Sequence, residues 1–235
     1  DGYDVLDLLA NHPGTARFIS RKLCRRFISD IPPESVVQAA ANTFLQFKDA
    51  PDQLKRVIET ILLSAEFKAS WGGKVKRPFE AAMSMMRALN SDFTRIPGGV
   101  NWMMGLMGQA LFERRPPDGY PDTRDAWANS MSLLYRWNLA VGLTENWMDD
   151  ENTGYKIRSD VFAQTPAEIR SASSLADYWI QRILNQTLPE ESRNAVVAVM
   201  AQEYGWDETL PEDHVQYVLP AMVEVILMSP EFQWR

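Results

Sequence analysis

Apolar residues recur along this chain at helical spacing almost from end to end. Ala16, Ile19, Leu23 and Phe27 mark one face of a helix that opens at Pro13, with Asn11 as its expected cap. A short apolar helix, VLDLLA, precedes it from Val5 to Ala10. Asp30, Pro32 and Pro33 end the second helix and open a third, from about Glu34 to Phe47. Beyond the break at Asp49-Ala50-Pro51, Leu54, Val57, Ile58, Ile61 and Leu62 have the spacing of a core-facing helix. The same period predicts helices from Pro78 to Leu89, Gly99 to Leu111, near Pro166, from about Ser174, from Pro189 to Tyr204, and from Glu212 to Met228. Pro220 is expected to kink or split the last of these. No segment alternates with period two between turns. The fold expected is all-α, a globular bundle of roughly nine to eleven helices in a single domain, 1–235.

One stretch breaks the pattern. In RRPPDGYPDTRDAWANSMSLLYRWN, Arg114 to Asn138, turn formers, charges and large aromatics crowd together. Pro116, Pro117, Gly119 and Pro121 impose turns or extended backbone. Asp122 or Thr123 is expected to cap a long helix reaching about Val141. Its apolar arc is wide, with Trp127, Met131, Leu134 and Asn138 on one side and Ser130, Leu133, Trp137 and Val141 on the next. Such a helix is expected to be central and buried. A buried Arg136 or Asn138 must then be paired, and Asp118 or Asp122 is the expected partner of Arg136.

A repeat is visible at the two ends. Arg25 followed by Ile31-Pro32-Pro33-Glu34-Ser35 is matched, at the same spacing, by Arg182 and Leu188-Pro189-Glu190-Glu191-Ser192. Each continues to an apolar helix ending in Ser64-Ala65-Glu66-Phe67 or Ser229-Pro230-Glu231-Phe232. In both, the serine is expected to cap a short turn while the phenylalanine docks into its own unit. Repeat units over 13–67 and 174–232 would flank a central region, 74–142. Convergent helix punctuation would produce the same motifs without duplication.

Composition narrows the function classes. Hydrophobic residues make up 46% and charged residues 23% of the 235, as in a globular protein, and no apolar run is long enough for a membrane helix. A net charge of −7 argues against a general nucleic-acid binder. The basic stripe Arg17, Arg21 and Arg25, flanked by Lys22 and Arg26, reads either as an anion site or as a solvated face paired with acidic neighbours. Cys24 stands alone, so no disulfide forms within the chain, and His12 and His214 are too few for a histidine-rich metal centre. Met83, Met85, Met86, Met103, Met104 and Met107 read as core filler in preference to a soft-metal site, and no cofactor is expected. The oxygen-rich Asp149-Asp150-Glu151-Asn152 lacks calcium-loop spacing and reads as a solvated loop.

Two function classes remain for the central stretch. Asp118, Gly119, Tyr120, Asp122, Trp127, Arg136 and Asn138 form its candidate surface. With Trp102 and Trp137, Tyr120 and Trp127 could make an aromatic shelf for a glycan, a peptide or a partner helix. Alternatively Asp118 and Asp122, with Glu113 and Asp125 close by, could divide acid and base roles in a hydrolase acting on an extracellular polymer such as polysaccharide, either alone or in a site shared with a further N-terminal part of the protein. Asp118 before Gly119 is also ordinary turn chemistry, and no nucleophile elbow, zinc motif, phosphate loop or dinucleotide fingerprint occurs. The binding or scaffold class is preferred, with the stretch serving first as a joint that fixes the two ends together.

DGYDVLDLLANHPGTARFISRKLCRRF, KVKRPFEAAMSMMRAL, PPDGYPDTRDAW with RWN, and the terminal ILMSPEFQ together resemble the bacterial family catalogued as domain of unknown function 1800. The resemblance covers nearly the whole chain and implies the C-terminal part of a longer protein. It further implies export to the periplasm or the cell exterior and an exported protein partner. It brings no reaction and no catalytic residue.

Overall fold

The computed structural model describes residues 1–93, 98–146 and 157–235. The chain is all-α, with twelve α-helices among the described residues. They are α1 (Gly2–Ala10), α2 (Pro13–Phe27), α3 (Glu34–Gln46), α4 (Gln53–Leu62), α5 (Ala65–Lys68), α6 (Pro78–Ala88), α7 (Gly98–Leu106), α8 (Ser130–Thr144), α9 (Ala172–Leu184), α10 (Glu190–Ala201), α11 (Glu212–Met228) and α12 (Pro230–Gln233). A two-stranded antiparallel ribbon, β1 (Asp92–Phe93) with β2 (Ile157–Arg158), pairs Asp92 with Arg158.

The contacts divide the chain into two compact units. The first holds Asp1–Lys74, Pro121–Arg124 and Arg235; the second holds Val75–Tyr120 and Asp125–Trp234. In the first, α2 packs on α3 and α4 around Ala16, Cys24, Val37, Ala40, Val57 and Ile61. His12, not Asn11, caps α2, its Nδ1 accepting from the Gly14 amide at 3.0 Å. Pro13 at the first helical position has no N–H to satisfy, which leaves the amide of Gly14 for the histidine. The basic stripe is a paired face: Arg17 and Arg21 both reach Glu34, at 2.6 and 2.7 Å, and Arg25 Nε donates to the Asp30 carbonyl.

Cys24 is fully buried in this core, and burial first, then Glu66, push its thiol up to about 11 against the opposing pull of Arg21. A thiol with neither access nor thiolate character is inert. Iodoacetamide at pH 8 is therefore expected to leave Cys24 unmodified in the folded protein and to alkylate it fully in denaturant, read by mass. Rapid native labelling would contradict this packing.

In the second unit α8 packs on α6, α7 and α11, while α9, α10 and α11 pack in sequence order. Met85, Met86, Met103, Met104 and Met107 are buried in its core and Met83 packs against it. α11 continues through Pro220 without splitting. Near Pro166 the chain makes turns, and the helix starts at Ala172, where Ser171 supplies the cap. The two terminal serines do as their motif predicts. Ser64 Oγ accepts from Phe67 N at 3.1 Å and Ser229 Oγ from Phe232 N at 3.3 Å. Phe67 packs on the first core, and Phe232 is buried in the second. The segment Asp149 to Asn152 lies outside the described residues.

Candidate functional site

The stretch from Arg114 to Asn138 is shared out between the two units, residues 121–124 belonging to the first and the flanks to the second. In the second unit, Gly119 has a φ of +73°, which a side-chain-bearing residue adopts only with strain. Arg114 fixes this turn from within the stretch: its Nε donates to the Gly119 carbonyl at 2.8 Å and its guanidinium meets the Asp118 carboxylate at 3.1 and 3.4 Å. Tyr120 donates its hydroxyl to the Ala110 carbonyl, and its ring lies 6.2 Å from that of Trp127. In the first unit, Asp122 takes the Lys22 ammonium at 2.7 Å. Asp30 takes the Lys74 ammonium and, at 2.6 Å, the Arg124 amide.

Arg136 is not paired with Asp118 or Asp122. It is buried, 2% exposed, and donates to Ser132 Oγ at 3.4 Å, to Gln233 Oε1 at 3.1 Å and to the Lys76 carbonyl at 2.6 Å. The expectation failed because each aspartate has a nearer cation, while Arg136 can tie α8 to the segments at Lys76 and Gln233. Burial pushes its guanidinium down to about 10, with Glu80 opposing, so it remains a cation at neutral pH.

The long helix also begins later than its sequence suggests. A single 3-10 turn, Arg124–Ala126, follows Asp122, and Asn129 caps α8 by accepting from Ser132 N at 2.8 Å. The face α8 buries is Ser132, Arg136, Leu139, Ala140 and Leu143, with Asn138 half-buried. Of the two apolar sides read from the sequence, the large side chains on α8 face outward instead, while Trp127 precedes the helix and is buried and Asn138 and Val141 are half-buried. Met131 is 55% exposed and Leu134 45%, and Leu133 and Trp137 are exposed with them.

The aromatic shelf is thus divided. Trp127 is buried and Tyr120 is half-buried against it. Trp102 on α7 is 60% exposed and meets Tyr135 of α8 edge-on, ring centroids 6.4 Å apart. Met131 lies one turn before Tyr135 on the same face of α8. Beside α7, Asn101 Oδ1 accepts from Leu111 N at 3.0 Å, and the next residue, Phe112, has a φ of +63° and a fully exposed ring. A bulky side chain held in the left-handed region marks a strained position. α7, α8 and Phe112 therefore present Trp102, Phe112, Met131, Leu134 and Trp137 to solvent from one packed pair of helices.

Below the N-terminus of α8 lies a cavity of about 310 Å³, walled by Val75, Trp127, Ser130, Leu133, Arg136 and Trp234 among others. The indole N–H of Trp127 is buried without a hydrogen-bond partner. The sequence names Trp127 and Arg136 as neighbours in the chain but carries no sign that Val75 and Trp234 complete the wall, since these meet through a bridge between distant segments.

One further acidic group stands out. Burial raises the Glu224 carboxyl above its ordinary value of 4.5, against a Thr144 hydroxyl that donates to it at 2.6 Å, and Glu145 adds repulsion. Thr144 also lines a polar cavity of about 540 Å³ with Asn146, Ser159, Asp160 and Gln216. Spaced like a solvent-face residue on α11, Glu224 gives no signal in the sequence. A carboxyl whose folded pKa is raised favours the fold fully below its unfolded value, and that support is lost as pH rises through the folded value. Glu224→Gln keeps the acceptor for Thr144 and removes the charge. It is expected to raise the unfolding midpoint in urea at pH 7 and to change nothing at pH 3.5. Destabilisation at pH 7 would contradict this.

Among the described residues no group of three or more His, Cys, Asp or Glu side chains could hold a metal ion, and no helix is long and apolar enough to cross a membrane. By architecture the protein is an all-α helical assembly whose candidate surface is apolar over a buried cation. The family model described as "Protein of unknown function (DUF1800)" matches residues 1–234, and the chain belongs to that family. No curated protein and no solved structure matches it.

Proposed function

We propose that this protein is a binding or scaffold module that works outside the cytoplasm, and that it engages a peptide segment or protein surface through the outer faces of α7 and α8. The observation that carries this reading is the exposed apolar surface of Trp102, Phe112, Met131, Leu134 and Trp137. Met131, Leu134 and Trp137 follow one another at three-residue spacing on α8, and large apolar side chains gathered on one helix and turned to water suit an interaction site. A peptide or protein fits better than a glycan. Sugar recognition needs polar groups among the rings, whereas this face is aliphatic and aromatic, and the rings of Tyr120 and Trp127 pack against each other. The extracytoplasmic setting and an exported partner rest on the family resemblance alone.

Hydrolysis by Asp118 and Asp122 has less support, because each carboxylate is already engaged in an ion pair, with Arg114 and Lys22 respectively, and Asp118 serves the turn at Gly119.

Peptide display on the intact protein tests the proposal. Selected sequences should carry two or more apolar anchors at helical spacing, and their binding should weaken at least tenfold in Leu134→Ser. A display that enriches nothing, or binders indifferent to Leu134→Ser, would count against it. Cleavage of a polysaccharide that is abolished by Asp118→Asn would restore the hydrolase.

A further inference from the structure

We propose that the cavity beneath α8 is a carboxylate-binding site, taking a free carboxylate carried on a compact apolar body. This extends the binding-module reading from a surface to a defined ligand chemistry, and it rests on that reading.

The wall supplies positive charge without an anion. Arg136 has five N–H donors, and its three bonds go to Ser132 Oγ, Gln233 Oε1 and the Lys76 carbonyl, all neutral acceptors. Two donors remain, one on each terminal nitrogen. Glu80 acts on the guanidinium only through space. A buried cation of this kind is ordinarily matched by a touching carboxylate, because its desolvation is otherwise uncompensated.

Trp127, 3% exposed, lines the same cavity, and its N–H has no partner. Buried indole donors are nearly always satisfied. Two residues that line one cavity thus carry unspent donors, a guanidinium and an indole N–H, and together they suit an anionic acceptor. A carboxylate, with two oxygens and about four lone-pair directions, meets that set, and a neutral amide meets it only in part.

Volume and lining specify the rest of the ligand. At about 310 Å³ the cavity is at the small end of ligand pockets. Val75, Ala128, Leu133 and Trp234 make the remaining wall largely apolar. The ligand is therefore an arylalkyl or branched aliphatic acid of modest size. The same chemistry is offered by the last residue of a peptide with an apolar C-terminal side chain.

Titration calorimetry on the full chain distinguishes the sources. The probes are 3-phenylpropionate, 3-phenylpropanamide, and a tetrapeptide ending in Phe as its free acid and as its amide. The expected result is binding of at least one acid, with the matching amide at least tenfold weaker. The acid that binds identifies the source. Trp127→Phe keeps an aromatic side chain, smaller than indole, and removes the N–H, and should weaken the acid about tenfold, the value of one hydrogen bond to a charged group. Should Trp127→Phe fail to fold, Leu133→Trp, which fills the cavity from an exposed position, must abolish binding instead. The inference is overturned if no acid binds, if acid and amide bind equally, or if binding survives Leu133→Trp or a folded Trp127→Phe unchanged. Peptides selected on the outer face of α8 would still bind in that case, leaving the binding-module reading intact.

Discussion

Asp30→Ala is expected to cost the first unit about 3–5 kcal/mol, the penalty for removing one partner of a buried ion pair. Lys74 is only 5% exposed at its side chain, and its ammonium is held by Asp30 Oδ1. The other oxygen of the same carboxylate accepts from the Arg124 amide at 2.6 Å. Removing the carboxylate leaves a buried ammonium without the carboxylate that holds it and removes one of the contacts that anchor residues 121–124. Burial, the largest single influence, pushes the Asp30 carboxyl up. The Lys74 hydrogen bond, the Arg124 amide and the charges of both residues together bring it below the usual carboxylate range. A depressed carboxyl contributes stability that is present above its unfolded value, about 3.9, and lost as pH falls through its folded value. The wild type should therefore lose stability on acidification through this region, and Asp30→Ala should show a flatter acid limb. Urea unfolding gives the loss, and amide exchange should place it in α2 to α4. In the double variant Asp30→Ala/Lys74→Met the loss should largely disappear, because no charge is then left buried alone. Equal instability of single and double variants would contradict the account.

Arg136→Met is expected to cost the second unit about 2–4 kcal/mol, since the Lys76 carbonyl and Gln233 Oε1 each lose a donor in a water-poor site. Part of the penalty is offset by no longer burying a cation. Arg136→Lys should not restore the native value, because an ammonium cannot reach several acceptors from one planar fork. The loss should appear as faster amide exchange in α8 and α12, read by mass spectrometry. A neutral Arg136→Met, with amide exchange in α8 and α12 unchanged, would contradict this.

The elements that the sequence disclosed are those whose stability is local. α2, α3, α4, α6, α10 and α11 carry their apolar residues at helical spacing between proline breaks, and their bounds fall within a few residues of expectation. The short Ser64 and Ser229 turns were legible for the same reason, since a cap and its amide lie three residues apart. What was not legible depended on distant partners. Asp122 and Thr123 look like a helix start. Yet the Arg124 amide is taken by Asp30, 94 residues away, and Asp122 turns to Lys22, 100 residues away. α8 therefore waits for Asn129.

The orientation of α8 reversed for a related reason. Hydrophobicity counts Met131, Leu133, Leu134 and Trp137 as core, but the buried face is the one that brings Arg136 to Lys76 and Gln233. The strip of Ser132, Arg136 and Ala140, small or polar residues beside Leu139, was the signal available, and an apolar count passes over it. That displacement of apolar side chains to the surface is what makes the stretch a candidate for binding.

The most direct test compares two double variants against one peptide selected on the intact protein, by titration calorimetry. Leu134→Ser/Trp137→Ser removes the outer face of α8, and Asp118→Asn/Asp122→Asn removes the two carboxylates. The account predicts that the first weakens binding at least a hundredfold, the scale of two lost apolar anchors, while the second stays within about twofold once folding is verified. The reverse pattern, with binding indifferent to Leu134 and Trp137 and dependent on the aspartates, would contradict it.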